Sequence, residues 1–166
     1  MDLLRSMTHG IREQFKYVRR SKKGIQTPDE TLLSGQGTCR DFAVLMMEAT
    51  RSLGIAARFV SGYILVPGNN SAEVFNVSGD MKGGGATHAW MQVFLPGAGW
   101  IDFDPTNGII GNRNLIRVAM AWSPENVLPL WGTFIGRHDD FIEMDVSVNV
   151  AEVGDNLIDV LLPARV

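Results

Sequence analysis

Gly37-Thr38-Cys39-Arg40-Asp41-Phe42-Ala43-Val44-Leu45-Met46-Met47-Glu48-Ala49-Thr50-Arg51-Ser52-Leu53-Gly54 carries the clearest periodicity in the chain. Phe42, Leu45, Met46, Ala49 and Leu53 recur at three and four, while Arg40, Asp41, Glu48 and Arg51 point elsewhere. That spacing predicts a helix over 39–53 with one apolar face. Gly54 stands where a glycine commonly closes a helix. Just upstream, Thr27-Pro28-Asp29-Glu30 offers a capping threonine, a proline at the first helical position and a glutamate three residues after the cap. A short helix over 28–34 follows from it, broken by Gly35-Gln36-Gly37. Farther back, Leu3, Leu4, Met7, Ile11, Phe15 and Val18 predict an amphipathic helix over residues 2–19. The basic stretch Arg19, Arg20, Ser21, Lys22, Lys23 ends it and reads as a solvated loop.

After Gly54 the pattern changes. Residues 57–66 are rich in β-branched and aromatic side chains and close on Pro67-Gly68, which predicts a buried strand and a turn. Residues 67–86 form a long connection with Gly83-Gly84-Gly85, read as a flexible edge to a cleft. No Gly-Lys-Ser/Thr follows these glycines, so they are not a phosphate loop. His88–Leu95 and residues 100–104 flank Pro96-Gly97-Ala98-Gly99 and should pair as an antiparallel hairpin. Residues 115–122 predict a further strand. Alternation of Ile142, Met144, Val146, Val148 and Val150 with polar neighbours predicts another, with one wet face. Helices first and strands afterwards give an α+β architecture.

Composition narrows the function. The 166 residues, 45% hydrophobic and 20% charged, suit a single domain over 1–166, in which roughly 70% of the unfolded chain's surface is buried. One cysteine excludes an internal disulfide, and it excludes the common structural zinc sites, which need at least two thiolates from one chain. A net charge of −3 provides no basic footprint for duplex nucleic acid. No apolar run reaches the roughly 18 residues of a membrane span, and charges scattered through the first twenty residues do not form a signal peptide. Neither nucleic acid nor membrane is an expected partner, no metal or cofactor is implied, and a cytoplasmic setting is expected.

The chemistry centres on Cys39. On the first turn of a helix its sulfur meets unpaired backbone N–H groups, which favour a thiolate. The helix end contributes about 0.3–1 kcal/mol, less than one pKa unit at roughly 1.36 kcal/mol per unit. The larger depressions known for reactive thiols, from about 8.5 to as low as about 3.5, need an adjoining cation such as an imidazolium. Of three histidines, His9 reads as a surface or cap residue and His138, before Asp139 and Asp140, as a charged turn or half of a weak metal site. His88 begins a strand after the glycine-rich loop, and the return strand of its hairpin ends in Asp104-Pro105-Thr106. With residues 96–99 as the turn, Leu95 faces Trp100 and residue 91 faces Asp104. A bulge or a modest register change then brings a carboxylate to His88, where it would orient the ring toward sulfur. Asp104 is preferred because Pro105 holds it extended at the strand end. Asp102 shares its face, which leaves the register open. Asp41 is expected to pair with Arg40 or Arg58. Trp90 and Trp100 should pack near the hairpin, with Trp90 a candidate wall of the site.

Four ordered blocks, Gly37-Thr38-Cys39-Arg40-Asp41-Phe42-Ala43, Gly54-Ile55-Ala56-Ala57-Arg58-Phe59-Val60-Ser61-Gly62-Tyr63, His88-Ala89-Trp90 and Trp100-Ile101-Asp102-Phe103-Asp104-Pro105-Thr106-Asn107, closely resemble the transglutaminase-like superfamily, in particular its bacterial branch described as cysteine proteases. The resemblance spans roughly residues 10–150. It implies a papain-like core in which a helix bearing the nucleophile packs on an antiparallel sheet. It implies Cys39 as nucleophile, His88 as general base and acid, and Asp104 as orienting carboxylate. Two departures matter. Animal transglutaminases carry tryptophan directly after the cysteine, where this chain has Arg40, so their substrate specificity does not transfer. Their upstream oxyanion-stabilising aromatic has Tyr17 as its candidate counterpart here, with the Cys39 backbone N–H as the other donor. No EF-hand loop is present, so calcium activation is not implied. Bacterial relatives carry an additional β-rich domain before this core, and one is expected upstream of Met1.

The implied reaction is thiol-based acyl transfer on a peptide or protein amide through a thioester. Water as acceptor gives a peptidase, amidase or deamidase, and an amine gives a transglutaminase. One alternative is an acyl-CoA-using N-acyltransferase, against which stands the absence of the usual Arg-Gly-Gly before the cysteine region. Another is a non-catalytic peptide-binding module, which would typically have lost one of the three residues.

Overall fold

A computed structural model describes residues 1–19, 24–65, 87–128, 132–133, 135–140, 142 and 148. The connection expected over 67–86, the basic residues 20–23 and most of the strand expected over 142–150 lie outside the described residues. Helix α1 spans Asp2–Gln14, α2 Pro28–Ser34 and α3 Cys39–Ser52, with two short strands between them, β1 Lys16–Tyr17 and β2 Gln36–Gly37. There follow β3 Ala57–Ile64, β4 His88–Leu95, β5 Gly99–Asp104, β6 Ile109–Ile110 and β7 Leu115–Ala121. They form one antiparallel sheet in the order β6-β5-β4-β3-β7. The result is α+β, helices on one face of the sheet. Among the described residues no helix is long and apolar enough to cross a membrane.

The first helix stops earlier than the expected 2–19. Phe15 is already extended, and Lys16 N–H and Val18 N–H donate to the carbonyls of Gly35 and Gly37, so the chain pairs in parallel with β2 instead of continuing to coil. Tertiary pairing overrides a helical apolar pattern here, and it carries Tyr17 alongside Gly37, two residues before Cys39. The capping box of α2 forms as expected: Glu30 N–H donates to Thr27 Oγ1 at 3.2 Å, and Thr27 N–H to Glu30 Oε2 at 2.9 Å. Gly54 closes α3 with φ +76°.

The core lies between α3 and the inner sheet face, where Phe42, Met46 and Met47 meet Phe59, Met91, Val93 and Phe103. Leu4 and Ile11 of α1 join it, and Phe15 meets Phe42 edge to face with ring centroids 5.9 Å apart. Each fully buried side chain of this size contributes on the order of 1.5–3 kcal/mol, which fixes α3, and therefore Cys39, against β3 and β4.

The hairpin differs from expectation by one residue. Leu95 faces Gly99 and Phe94 faces Trp100, because the loop is the three residues 96–98. Pro96 and Gly97 occupy the central positions of a turn closed by Ala98 N–H to Leu95 O at 3.0 Å, with Gly97 at φ +84°. Proline first and a left-handed glycine second is the residue order of a type II turn. A one-residue shift changes which face a side chain occupies. Met91 now opposes Phe103, so Asp104 falls on the face that carries His88.

Candidate active site

Three segments converge on the site. Cys39 opens α3, whose start is built by Thr38 and Asp41: Thr38 N–H and Oγ1–H donate to Asp41 Oδ2 at 2.7 and 2.8 Å. Gln26 N–H donates to Asp41 Oδ1 at 2.7 Å, tying the segment before α2 to the same carboxylate. Asp41 thus anchors the helix start. Of its two expected partners, Arg40 and Arg58, the latter is engaged elsewhere: Arg58 Nε–H donates to Gln92 at 2.9 Å and its guanidinium lies 4.1 Å over Trp100. Gly37 allows this tight approach, since a Cβ there would fall 2.9 Å from Asp41 Cβ and 3.1 Å from the Phe42 ring.

His88 and Asp104 supply the second and third segments, both fully buried. His88 Nε2–H donates to Asp104 Oδ2 at 2.8 Å. Asp104 is held in turn by Thr106 N–H at 2.9 Å and Asn107 Nδ2–H at 2.8 Å, with Asn107 N–H at 3.4 Å. The first of these is the local turn that aspartate makes with the backbone two residues on. His88 Nδ1 is buried without a hydrogen bond of its own, yet Cys39 lies near enough for its side chain to raise the charge state of the ring. Burial pushes the imidazole down, but the charge and hydrogen bond of Asp104 and then the Cys39 side chain outweigh it, and the His88 pKa rises from 6.5 to about 10. For Asp104, burial pushes the carboxyl up and is outweighed by His88, Asn107 and Thr106, which hold it below its ordinary value. These shifts favour a charged imidazolium–carboxylate pair whose Nδ1 makes no hydrogen bond.

Tyr17, paired with Gly37, is close enough to feel the charges of Cys39 and Asp104. Its pKa is pushed up to about 12, first by burial and next by Cys39, with Asp104 and Asp41 adding to the rise and Arg19 opposing it. The phenol therefore stays protonated, a donor, across ordinary pH. Trp90 is buried, and its ring lies nearly parallel to His88, with centroids 6.0 Å and planes 27° apart. The structure thus brings His88 together with Asp104 and Trp90, and it pairs Tyr17 with Gly37, two residues before Cys39. Trp100 is partly exposed and stands edge-on to Phe94, at 5.5 Å. His9 lies beside Gly108, and the side chain of His138 is outside the described residues. Reading the sequence passes over Asn107 and Thr106, whose signal is the Asp-Pro-Thr-Asn turn itself. It also passes over Gln92, which is two residues beyond Trp90 and on the same face.

A thiol at the start of a helix, set against an antiparallel sheet bearing an imidazole and a carboxylate, defines a papain-like α+β core. The chain belongs to the transglutaminase-like superfamily, whose core model matches residues 2–105. Uncharacterised proteins of Mycobacterium tuberculosis and Mycobacterium bovis are 32% identical to it over 157 residues, 90% of this chain and 47% of theirs. One from Mycobacterium leprae is 34% identical over 118 residues, 71% of this chain and 38% of its own. The chain therefore spans about half the length of these relatives or less. Among solved structures, a candidate cysteine protease from Cytophaga hutchinsonii shares the fold with TM-score 0.56 and 24% identity, over 74% of this chain and 37% of that one. Calcium-bound LapG of Legionella pneumophila superposes with TM-score 0.52 and 16% identity, over 72% of this chain and 64% of its own.

Proposed function

We propose that this chain is the catalytic core of a thiol enzyme that transfers or hydrolyses acyl groups of peptide or protein amides. One observation carries the reading: His88 is bound through Nε2 to a buried carboxylate and its Nδ1 is unbonded, while the Cys39 side chain helps to raise the pKa of the ring. Membership of the superfamily and the fold shared with a candidate cysteine protease support it.

In this reading Cys39 Sγ attacks the amide carbonyl while the Cys39 backbone N–H and the Tyr17 hydroxyl face the developing oxyanion. The tetrahedral intermediate collapses as His88 delivers its Nδ1 proton to the departing nitrogen, leaving an acyl thioester on sulfur and a neutral imidazole. An incoming water or amine gives a proton to His88 and attacks the thioester carbonyl; the C–S bond then breaks, the acyl product leaves and the sulfur is returned beside the protonated ring. Asp104 remains ionised throughout and fixes the tautomer and plane of the ring. Water yields hydrolysis or deamidation, and an amine yields a new amide. Which acceptor prevails depends on how the cleft admits water.

The test is incubation with a peptide library, with and without a primary amine, read by mass spectrometry against Cys39→Ala. Cleavage, the small mass gain of deamidation, or amine addition, each lost in Cys39→Ala, is the expected result and names the acceptor. No product in any format, together with iodoacetamide alkylation of Cys39 unaffected by His88→Ala, overturns the reading.

A further inference from the structure

We infer that Asp102, acting through Trp90, is a positioning residue for the His88 imidazole, an inference that rests on the thiol-enzyme reading above. His88, Trp90 and Gln92 alternate along β4 and share a face with Asp102 and Asp104 of β5. Each carboxylate holds one ring. Asp104 Oδ2 takes His88 Nε2–H at 2.8 Å, and Asp102 Oδ1 takes Trp90 Nε1–H at 2.7 Å and Gln92 Nε2–H at 2.8 Å. Arg58 donates to Gln92 at 2.9 Å, which extends the network to a guanidinium.

The need for such a device follows from His88 itself. Its ring is bonded at one nitrogen only, so rotation about the Nε2 contact would swing Nδ1 away from sulfur. A rigid neighbour stacked with the ring limits that swing. The Trp90 indole stacks with the imidazole, its plane tilted by 27°, and it is itself confined. A Cβ at Gly62 would stand 2.8 Å from Trp90 Cη2, so the indole packs directly on the β3 backbone. At the opposite edge its N–H is fixed by Asp102. Charged acceptors make shorter and stronger hydrogen bonds than neutral ones, which suits a carboxylate to this role. Asp102 needs no contact with substrate for the effect.

Because Cys39 is the single cysteine, iodoacetamide alkylation as a function of pH reads its sulfur alone. NMR of histidine-labelled protein reads the titration of His88, assigned by loss of its signal in His88→Ala. The wild type and His88→Ala come first: an alkylation profile unchanged by His88→Ala removes the thiol–imidazole reading and this inference with it. Where the wild type shows the coupling, Asp102→Leu should slow alkylation at neutral pH by about tenfold or more and shift the His88 titration, since misplacement by about 1 Å can cost on the order of a hundredfold. Asp102→Asn keeps an oxygen for Trp90 and should recover alkylation to within about threefold of the wild type. A folded Asp102→Leu with wild-type alkylation and His88 titration overturns the inference while leaving the thiol–imidazole reading intact. Should Asp102→Leu not fold, Trp90→Phe decides: it keeps the stacked ring and loses the N–H, and a wild-type profile there equally overturns the inference.

Discussion

Replacing Asp104 with asparagine removes one charge from a fully buried pair and keeps the side-chain shape. Asp104 accepts from His88 Nε2, Asn107 Nδ2 and Thr106 N–H. An asparagine in either orientation turns an amide N–H₂ toward one of these donors, so at least one bond is lost. Removing one partner of a buried ion pair costs about 3–5 kcal/mol while the other remains charged. The pH dependence has a definite sign. The His88 pKa is raised, so its contribution to stability is complete below 6.5 and disappears as pH rises toward about 10. The Asp104 pKa is lowered, so its contribution is present above 3.8 and is lost only as pH falls through its lower folded value. The stability gap between wild type and Asp104→Asn should therefore be widest between about pH 4 and 6.5. It should narrow toward the roughly 1.5–3 kcal/mol of hydrogen bonds to a charged group as His88 deprotonates. Urea denaturation at pH 5, 7 and 9 measures it. A gap that is flat, or that widens from pH 5 to 9, refutes the charged pair. Turnover should fall on the order of 10⁴-fold at neutral pH, the loss known when an orienting carboxylate is made neutral and the wrong tautomer results.

Tyr17→Phe separates oxyanion binding from thiol activation: turnover of an amide substrate should fall by about 10²–10³, whereas iodoacetamide alkylation, a displacement at carbon that creates no oxyanion, should slow far less. Equal losses in both assays would remove Tyr17 from the oxyanion site. Gly62→Ala would drive a methyl against the Ile116 carbonyl oxygen and to 2.8 Å from the Trp90 ring. Because the first of these is backbone, relief requires β3 and β7 to separate, and a loss of at least the 1–3 kcal/mol typical of overpacking is expected. It should be accompanied by a change in Trp90 fluorescence. A fully stable Gly62→Ala with unchanged fluorescence would contradict the close approach.

The parts of this molecule legible in sequence are those in which local pattern and tertiary need agree. The 39–53 periodicity, the Thr27 capping box and the Pro-Gly turn each satisfy a local requirement that the fold also uses. The α1 boundary was not legible, because Phe15 to Val18 fit a helical stripe as well as a strand, and only the distant Gly35 and Gly37 carbonyls choose between them. The site depended on a smaller ambiguity still. Residues 96–99 can form a four-residue loop or a three-residue one, and the difference reverses the face of every side chain on β5 relative to β4. With Leu95 opposite Trp100, Asp104 would point into the α3 core, where a lone carboxylate would be strongly penalised. With Leu95 opposite Gly99, both aspartates of β5 join His88, Trp90 and Gln92 on one face, and Phe103 takes the core position among Met91, Phe59 and Phe42. The burial of Phe103 and the pairing of two carboxylates therefore favour the same register. That agreement fixes the site more firmly than the turn residues do, and it was present in the alternation Ile101-Asp102-Phe103-Asp104 all along.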